Sequence, residues 1–108
     1  MKYRKILIVG ASGTLGSSWL AHLSRSSEHT AIAHCLTRAI DWFDGQKIVL
    51  DLVSPGAVEK LIDQAKPDLV INACGATNVD LCEDRPTWAY ELNETLPRQL
   101  AQQCAARG

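Results

Sequence analysis

Three glycines at three-residue steps, Gly10, Gly13 and Gly16, follow directly on the apolar run Ile6-Leu-Ile-Val9, and an amphipathic segment begins within the same stretch. This is the pattern of a buried strand turning into a helix whose first turn faces a phosphate. Backbone N–H groups at a helix start have no partner inside the helix and carry the positive end of its dipole, so they suit a pyrophosphate. Glycine supplies the room. Gly10 permits the sharp turn, Gly13 lets the backbone approach the anion with no Cβ in the way, and Gly16 allows helix and strand to pack closely. Ser12, Thr14 and Leu15 share this turn. The competing reading is a tight turn without a ligand; a strand before and a helix after supply the context that a dinucleotide fingerprint requires.

Two further clusters could complete such a site. Ala73, Cys74, Gly75, Ala76 and Thr77 end a later apolar run, where small side chains leave room for a ribose and nicotinamide and the Thr77 hydroxyl can donate to either. Thr37-Arg38 follows the second apolar run, at the place where an acid would hold the ribose hydroxyls of NAD. A guanidinium there can instead pair with a 2′-phosphate, which favours NADP(H) with NAD(H) still possible; the alternative is a solvated surface arginine.

The elements that must position these residues alternate. Ile6 to Val9, Thr30 to Leu36, Lys47 to Asp51 and Asp68 to Cys74 read as strands, the first and last apolar without alternation, as in a sheet covered on both faces. Between them, Thr14 to about Arg25 is helical, with Leu15, Trp19, Leu20 and Leu23 as its apolar face. Ser54-Pro55 reads as the cap and first position of a second helix carrying Val58, Leu61, Ile62 and Ala65, which Lys66-Pro67 stops. Gly75 to Arg85 is a polar loop. Pro86 to Ala106 is helical in composition, with a break expected near Asn93 to Pro97. Strands alternating with helices predict an α/β fold: an open, parallel, Rossmann-type sheet in the order 3-2-1-4, forming one domain over residues 1–108.

Composition narrows the function. A net charge of −1 gives no basic surface for nucleic acid. The first apolar run falls far short of the roughly 20 residues of a membrane span, and no signal-peptide pattern is present, so a cytoplasmic location is expected. Cys35, Cys74, Cys82 and Cys104 show neither a C-x-x-C pair nor metal-ligand spacing and read as small buried hydrophobes in a reducing compartment. His22, His29 and His34 share no spacing of a metal or catalytic site and read as surface or packing residues, and Trp19, Trp42 and Trp88 are given no site role.

The spacing G-x-x-G-x-x-G resembles the extended, sugar-nucleotide-modifying branch of the short-chain dehydrogenase/reductases. Lys66-Pro-Asp-Leu-Val-Ile-Asn72-Ala-Cys-Gly-Ala-Thr77-Asn-Val-Asp80, then Ala89-Tyr-Glu-Leu-Asn93 and Pro97-Arg-Gln-Leu-Ala101, are similar to the dTDP-4-dehydrorhamnose reductases. The likeness runs from Lys5 to Gly108 and is loosest between Ser24 and Lys47. It implies that Asp51 and Leu52 hold the adenine edge, the acid accepting from the exocyclic amine and the leucine forming an apolar wall. It also places Val79 near a sugar substrate and makes Asn93 an organiser of the active site. Competing readings make Asp51 an acid approaching the helix at Ser54, and Asn93 a cap.

Reductase chemistry in this family uses a tyrosine with a lysine four residues on. Here Tyr90 is followed at that interval by Glu94, and Tyr3 by Leu7. The resemblance therefore implies the nucleotide-binding part of a reductase of nucleotide-linked 4-keto sugars, ending after the helix that follows the fourth strand. Two alternatives stand beside it. One is a non-catalytic NADP-binding regulatory module of the same family, as in the regulatory subunit of a methionine adenosyltransferase. The other is a non-functional gene fragment whose unpaired sheet edge would favour a homodimer.

Overall fold

A computed structural model describes residues 4–26, 28–36, 39–74 and 94–107. Its central strand is β1 (Arg4–Val9), buried from Ile6 onward. Parallel to it lie β2 (His29–Cys35) on one side and β4 (Leu69–Asn72) on the other, with β3 (Lys47–Val49) outside β2. The order β3-β2-β1-β4 is the one predicted from the alternation of strands and helices. In this order the carboxyl ends of β1 and β4, neighbours in space but far apart in sequence, come together at Gly10.

Two apolar layers cover the sheet. Leu7, Val9, Ile32 and Ile48 pack under α2 (Ala57–Ala65) and α3 (Leu96–Arg107), with Leu61, Ile62, Leu96 and Leu100 facing them. On the other face Ile6, Ile8, Ala31, Ala33 and Cys35 meet α1 (Thr14–Ser24) through Leu20 and Leu23, joined by Ile40 and Phe43 from the connection before β3. Successive strand residues point to opposite faces, so a run buried on both sides must be apolar throughout. β4 departs from that expectation: it is the edge of the sheet among the described residues, and its strand positions are only exposed or half-buried.

The apolar face of α1 is also rotated from the one read in the sequence. Its buried residues are Gly16, Leu20 and Leu23, whereas Leu15 and Trp19 are 60% and 41% exposed. Positions 15 and 19 form one line along the helix and 16 and 20 the next, and the close approach of Gly16 to the turn decides which line faces inward. A core reading of Trp19 is thereby overturned.

The second helix starts later than the Ser54-Pro55 signature predicts. Asp51 Oδ1 accepts the Val53 N–H at 3.1 Å, and the Ser54 carbonyl accepts the Ala57 N–H at 3.1 Å, so this segment is wound into turns. Gly56, at φ 74°, is the N-cap, and no side chain caps the helix. Glu94 and Thr95 are wound as a π-helical turn that runs into α3 at Leu96, with Pro97 its second residue; the rest of the break expected near Asn93 to Pro97 lies outside the described residues.

Lys66 ends α2 in the left-handed region at φ 47°, its N–H bonded to the Ile62 carbonyl. A side chain is disfavoured there. Lys66→Gly is expected to raise stability by about 0.5–1 kcal/mol, read as a higher urea midpoint with unchanged slope.

Candidate functional site

The site begins where β1 breaks off. The Gly10 N–H donates to Nδ1 of His34 at 3.2 Å, and the Ala11 N–H donates to the His34 carbonyl at 2.8 Å, so both donors are turned inward onto β2. The Gly13 N–H folds back to the Gly10 carbonyl at 3.2 Å. Gly13 is the N-cap of α1, with no side-chain cap and no acidic residue in the first turn. The N–H groups of Thr14 and Leu15 therefore have no acceptor among the described residues, and Ser12 to Leu15 are exposed around them. The hydroxyls of Ser17 and Ser18 both donate to the Thr14 carbonyl, at 3.1 and 2.9 Å, and do not turn toward the opening. An uncapped positive helix end facing outward is suited to an anion.

The three glycines are needed for different reasons. A Cβ on Gly16 would lie 2.2 Å from the Gly10 carbonyl oxygen and 2.9 Å from Ala11 Cα. One on Gly10, whose φ is +76°, would lie 2.9 Å from Cys74 Cα. Packing alone requires both. Among the described residues, a Cβ on Gly13 would meet only the Gly10 oxygen, at an ordinary 3.6 Å, and its φ of −77° suits any residue. Nothing in the packing of the described residues calls for glycine at position 13, and among them the space over it is a cradle that a side chain would fill.

Around this turn the structure gathers Ala73 and Cys74, which directly follow β4: the Ala73 N–H bonds to the Val9 carbonyl at 2.9 Å and the Cys74 N–H to Asn72 Oδ1 at 3.0 Å. Burial pushes the Cys74 thiol above its usual pKa, so it stays neutral. Asp51 lies at the end of β3, exposed, with Oδ1 already engaged by the Val53 N–H. Leu52 is only 3% exposed and packs in the core layer beneath α2. Thr37, Arg38, Gly75, Ala76, Thr77, Val79, Cys82, Trp88 and Asn93 lie outside the described residues.

One site residue escaped the sequence reading. His34 is fully buried, and its Nε2 lies 2.8 Å from the Leu50 carbonyl. Because Nδ1 accepts from Gly10, Nε2 must carry the proton and donate to Leu50. Burial lowers its pKa, against a smaller opposing effect of the Leu50 carbonyl, so the ring is neutral. The available signal was a lone polar residue inside the otherwise apolar Ala31-Ile-Ala-His-Cys35.

Two grooves lie away from this turn. One, of 690 Å³, runs between the end of α2, the β4 edge and Cys104; the other, of 450 Å³, lies between the ends of α1 and β2 and Trp42-Phe43. No helix among the described residues is long and apolar enough to cross a membrane.

Comparison with known proteins fits this arrangement. The chain is 34% identical over 104 residues to a dTDP-4-dehydrorhamnose reductase of Mycobacterium tuberculosis (strain CDC 1551 / Oshkosh), covering 96% of this chain and 30% of that protein. It is 31% identical over 106 residues to methionine adenosyltransferase 2 subunit beta of Xenopus tropicalis, covering 97% of this chain and again 30% of the relative. The chain thus spans about a third of the length of these relatives. Among solved structures, a hypothetical dTDP-4-dehydrorhamnose reductase from Sulfolobus tokodaii superposes with a TM-score of 0.81 at 31% identity, over 94% of this chain and 35% of that one. A dTDP-4-dehydrorhamnose reductase from Bacillus anthracis in complex with NADP superposes with a TM-score of 0.70 at 23% identity, over 94% of this chain and 31% of that one. Residues 4–108 match the family model described as the RmlD substrate binding domain, and the chain belongs to that family.

Proposed function

We propose that this chain is the dinucleotide-binding part of a reductase that acts on a nucleotide-linked 4-keto sugar, with NADP(H) as its cofactor. The observation that carries the reading is the cradle over Gly13, open above an uncapped helix start. Its setting at the carboxyl ends of β1 and β4, beside the point where the strand order reverses, is where open α/β sheets take their ligands. The NADP complex of the Bacillus anthracis relative supports the choice of cofactor.

In this reading the backbone of Ser12 to Leu15 binds the pyrophosphate and Asp51 accepts from the adenine amine. Arg38 pairs with the 2′-phosphate. Ala73, Cys74, Gly75, Ala76 and Thr77 line the ribose and nicotinamide, and Val79 adjoins the sugar. The chemistry such a cofactor supplies when bound is two-electron reduction of a carbonyl. This chain's described part is to bind and orient: its uncapped helix end offsets the pyrophosphate charge, and its small β4-end residues leave the pocket open.

Calorimetric titration tests the reading directly. NADPH is expected to bind the purified chain, and absence of binding would overturn the proposal. Arg38→Ala is expected to weaken NADPH by about tenfold while leaving NADH within about twofold, since a charge-assisted bond to the 2′-phosphate is lost only with the former. Equal losses would reject the role of Arg38.

The likeness to the methionine adenosyltransferase subunit favours a second reading, an NADP-binding module without a reaction of its own. Both readings expect this chain to bind NADPH without consuming it, since Tyr90 is followed four residues on by Glu94 and Tyr3 by Leu7. A Tyr-x-x-x-Lys pair encoded in frame downstream of Gly108 supports the reductase; DNA without one supports the module.

A further inference from the structure

We propose that His34 is a positioning residue that clamps the phosphate-binding turn to the adenine-binding end of β3, so that the two halves of the adenosine diphosphate site are held in register by one neutral imidazole. The inference rests on the dinucleotide reading above and adds to it the device that sets the site's geometry.

The geometry is a three-strand bridge. From β2, the ring reaches across β1 to take the Gly10 N–H on Nδ1 and across β3 to give its Nε2 proton to the Leu50 carbonyl. Leu50 immediately precedes Asp51, and the Leu50 N–H is itself bonded to the carbonyl of Cys35 at 3.0 Å. The His34 carbonyl holds the Ala11 N–H. A single residue therefore fixes both the first step of the glycine turn and the residue next to the adenine acid.

The clamp works in one ionisation state only. A second ring proton would put an N–H on Nδ1 against the Gly10 N–H, and two donors cannot share a bond. The ring's surroundings hold it neutral. Its register partner on β3 is Ile48, and the layer on that face is Leu7 and Val9 of β1, Val58 and Leu61 of α2, and Leu96 of α3, all apolar. Among the described residues the titratable groups bordering it are Asp51, one residue beyond the Leu50 carbonyl, and Cys74, which follows β4 and lies against Gly10. Glu59, Lys60 and Asp63 of α2 lie on exposed positions of that helix. Burial dominates and lowers the pKa of the ring, so protonation begins below the ordinary histidine range.

The test uses ADP-ribose, whose pyrophosphate diester keeps a constant charge from pH 8 to pH 5, and the 15N-labelled 108-residue chain. Circular dichroism confines the titration to conditions where the chain stays folded. That control is required because an unfolded histidine takes up a proton the folded one refuses: stability falls as pH drops from the unfolded pKa toward the lower folded one. On the unmutated chain, ADP-ribose affinity is expected to fall about tenfold as His34 protonates, and the Gly10 amide resonance to move with the same midpoint. His34→Asn keeps an acceptor for Gly10 but cannot ionise, so its affinity is expected to be flat across the range.

Unmutated chain and His34→Asn with the same affinity and pH profile, and a Gly10 amide that ignores pH, would overturn the clamp while leaving the dinucleotide reading intact. A chain that binds no ADP-ribose at pH 8, although its Gly10 amide follows His34, would overturn the dinucleotide reading and the positioning role with it. The amide measurement needs no variant, so the proposal stays testable if His34→Asn fails to fold.

Discussion

Gly16→Ala is expected to lower stability by about 3 kcal/mol or more, and with it the midpoint of thermal unfolding by more than about 12 °C. The added Cβ would sit 2.2 Å from the Gly10 carbonyl oxygen and 2.9 Å from both Gly10 C and Ala11 Cα. These are backbone atoms, and they have little freedom to retreat: the Gly10 and Ala11 N–H groups are both held by His34. The helix must back away instead. It would draw Leu20 and Leu23 out of the layer they form with Ile6, Ile8 and Ala33, and burial of a leucine is worth about 2 kcal/mol. Urea unfolding followed by circular dichroism measures the loss. A variant as stable as the unmutated chain would show that α1 does not rest on the turn in this way.

The same contact explains which parts of the molecule were legible in the sequence. The strand order followed from apolar runs such as Ile6-Leu-Ile-Val9 and Leu69-Val-Ile separated by helical segments, because parallel crossovers leave few topologies. The glycine turn was legible because strand, glycines and helix are contiguous in the chain. The rotation of α1 was not. Leu15 and Trp19 outweigh a glycine in any count of hydrophobicity, yet the buried line runs through Gly16, because a missing side chain permits the closest approach. Ser54-Pro55 misled for a related reason: the side chain of Asp51 organises the preceding turn and delays the helix to Ala57. Leu52 and Asp51 are adjacent in sequence, but the chain at the end of β3 sends one into the core and leaves the other exposed. His34 was hidden because its two partners, Gly10 and Leu50, lie 24 and 16 residues away, and only the folded sheet brings them to one ring.

Gly13→Ala separates folding from binding and is expected to divide them cleanly. Its φ of −77° and ψ of 174° are open to alanine, and among the described residues the new Cβ would meet only the Gly10 oxygen at 3.6 Å. Alanine is a poorer N-cap than glycine by a few tenths to 1 kcal/mol, while glycine's greater freedom in the unfolded chain offsets a similar amount. Stability should therefore stay within about 0.5 kcal/mol of the unmutated protein. Binding should not. In the proposed site the methyl group occupies the space through which a pyrophosphate oxygen would pass to reach the Thr14 and Leu15 N–H groups, and charge-assisted bonds to such groups contribute about 1.5–3 kcal/mol. NADPH affinity is expected to fall about 10- to 100-fold by calorimetry. A Gly13→Ala chain that folds and binds NADPH undiminished would place the phosphates elsewhere and remove the turn from the site. A chain that folds but no longer binds would show that glycine is needed at position 13 for the ligand, because the packing of the described residues has no need of it.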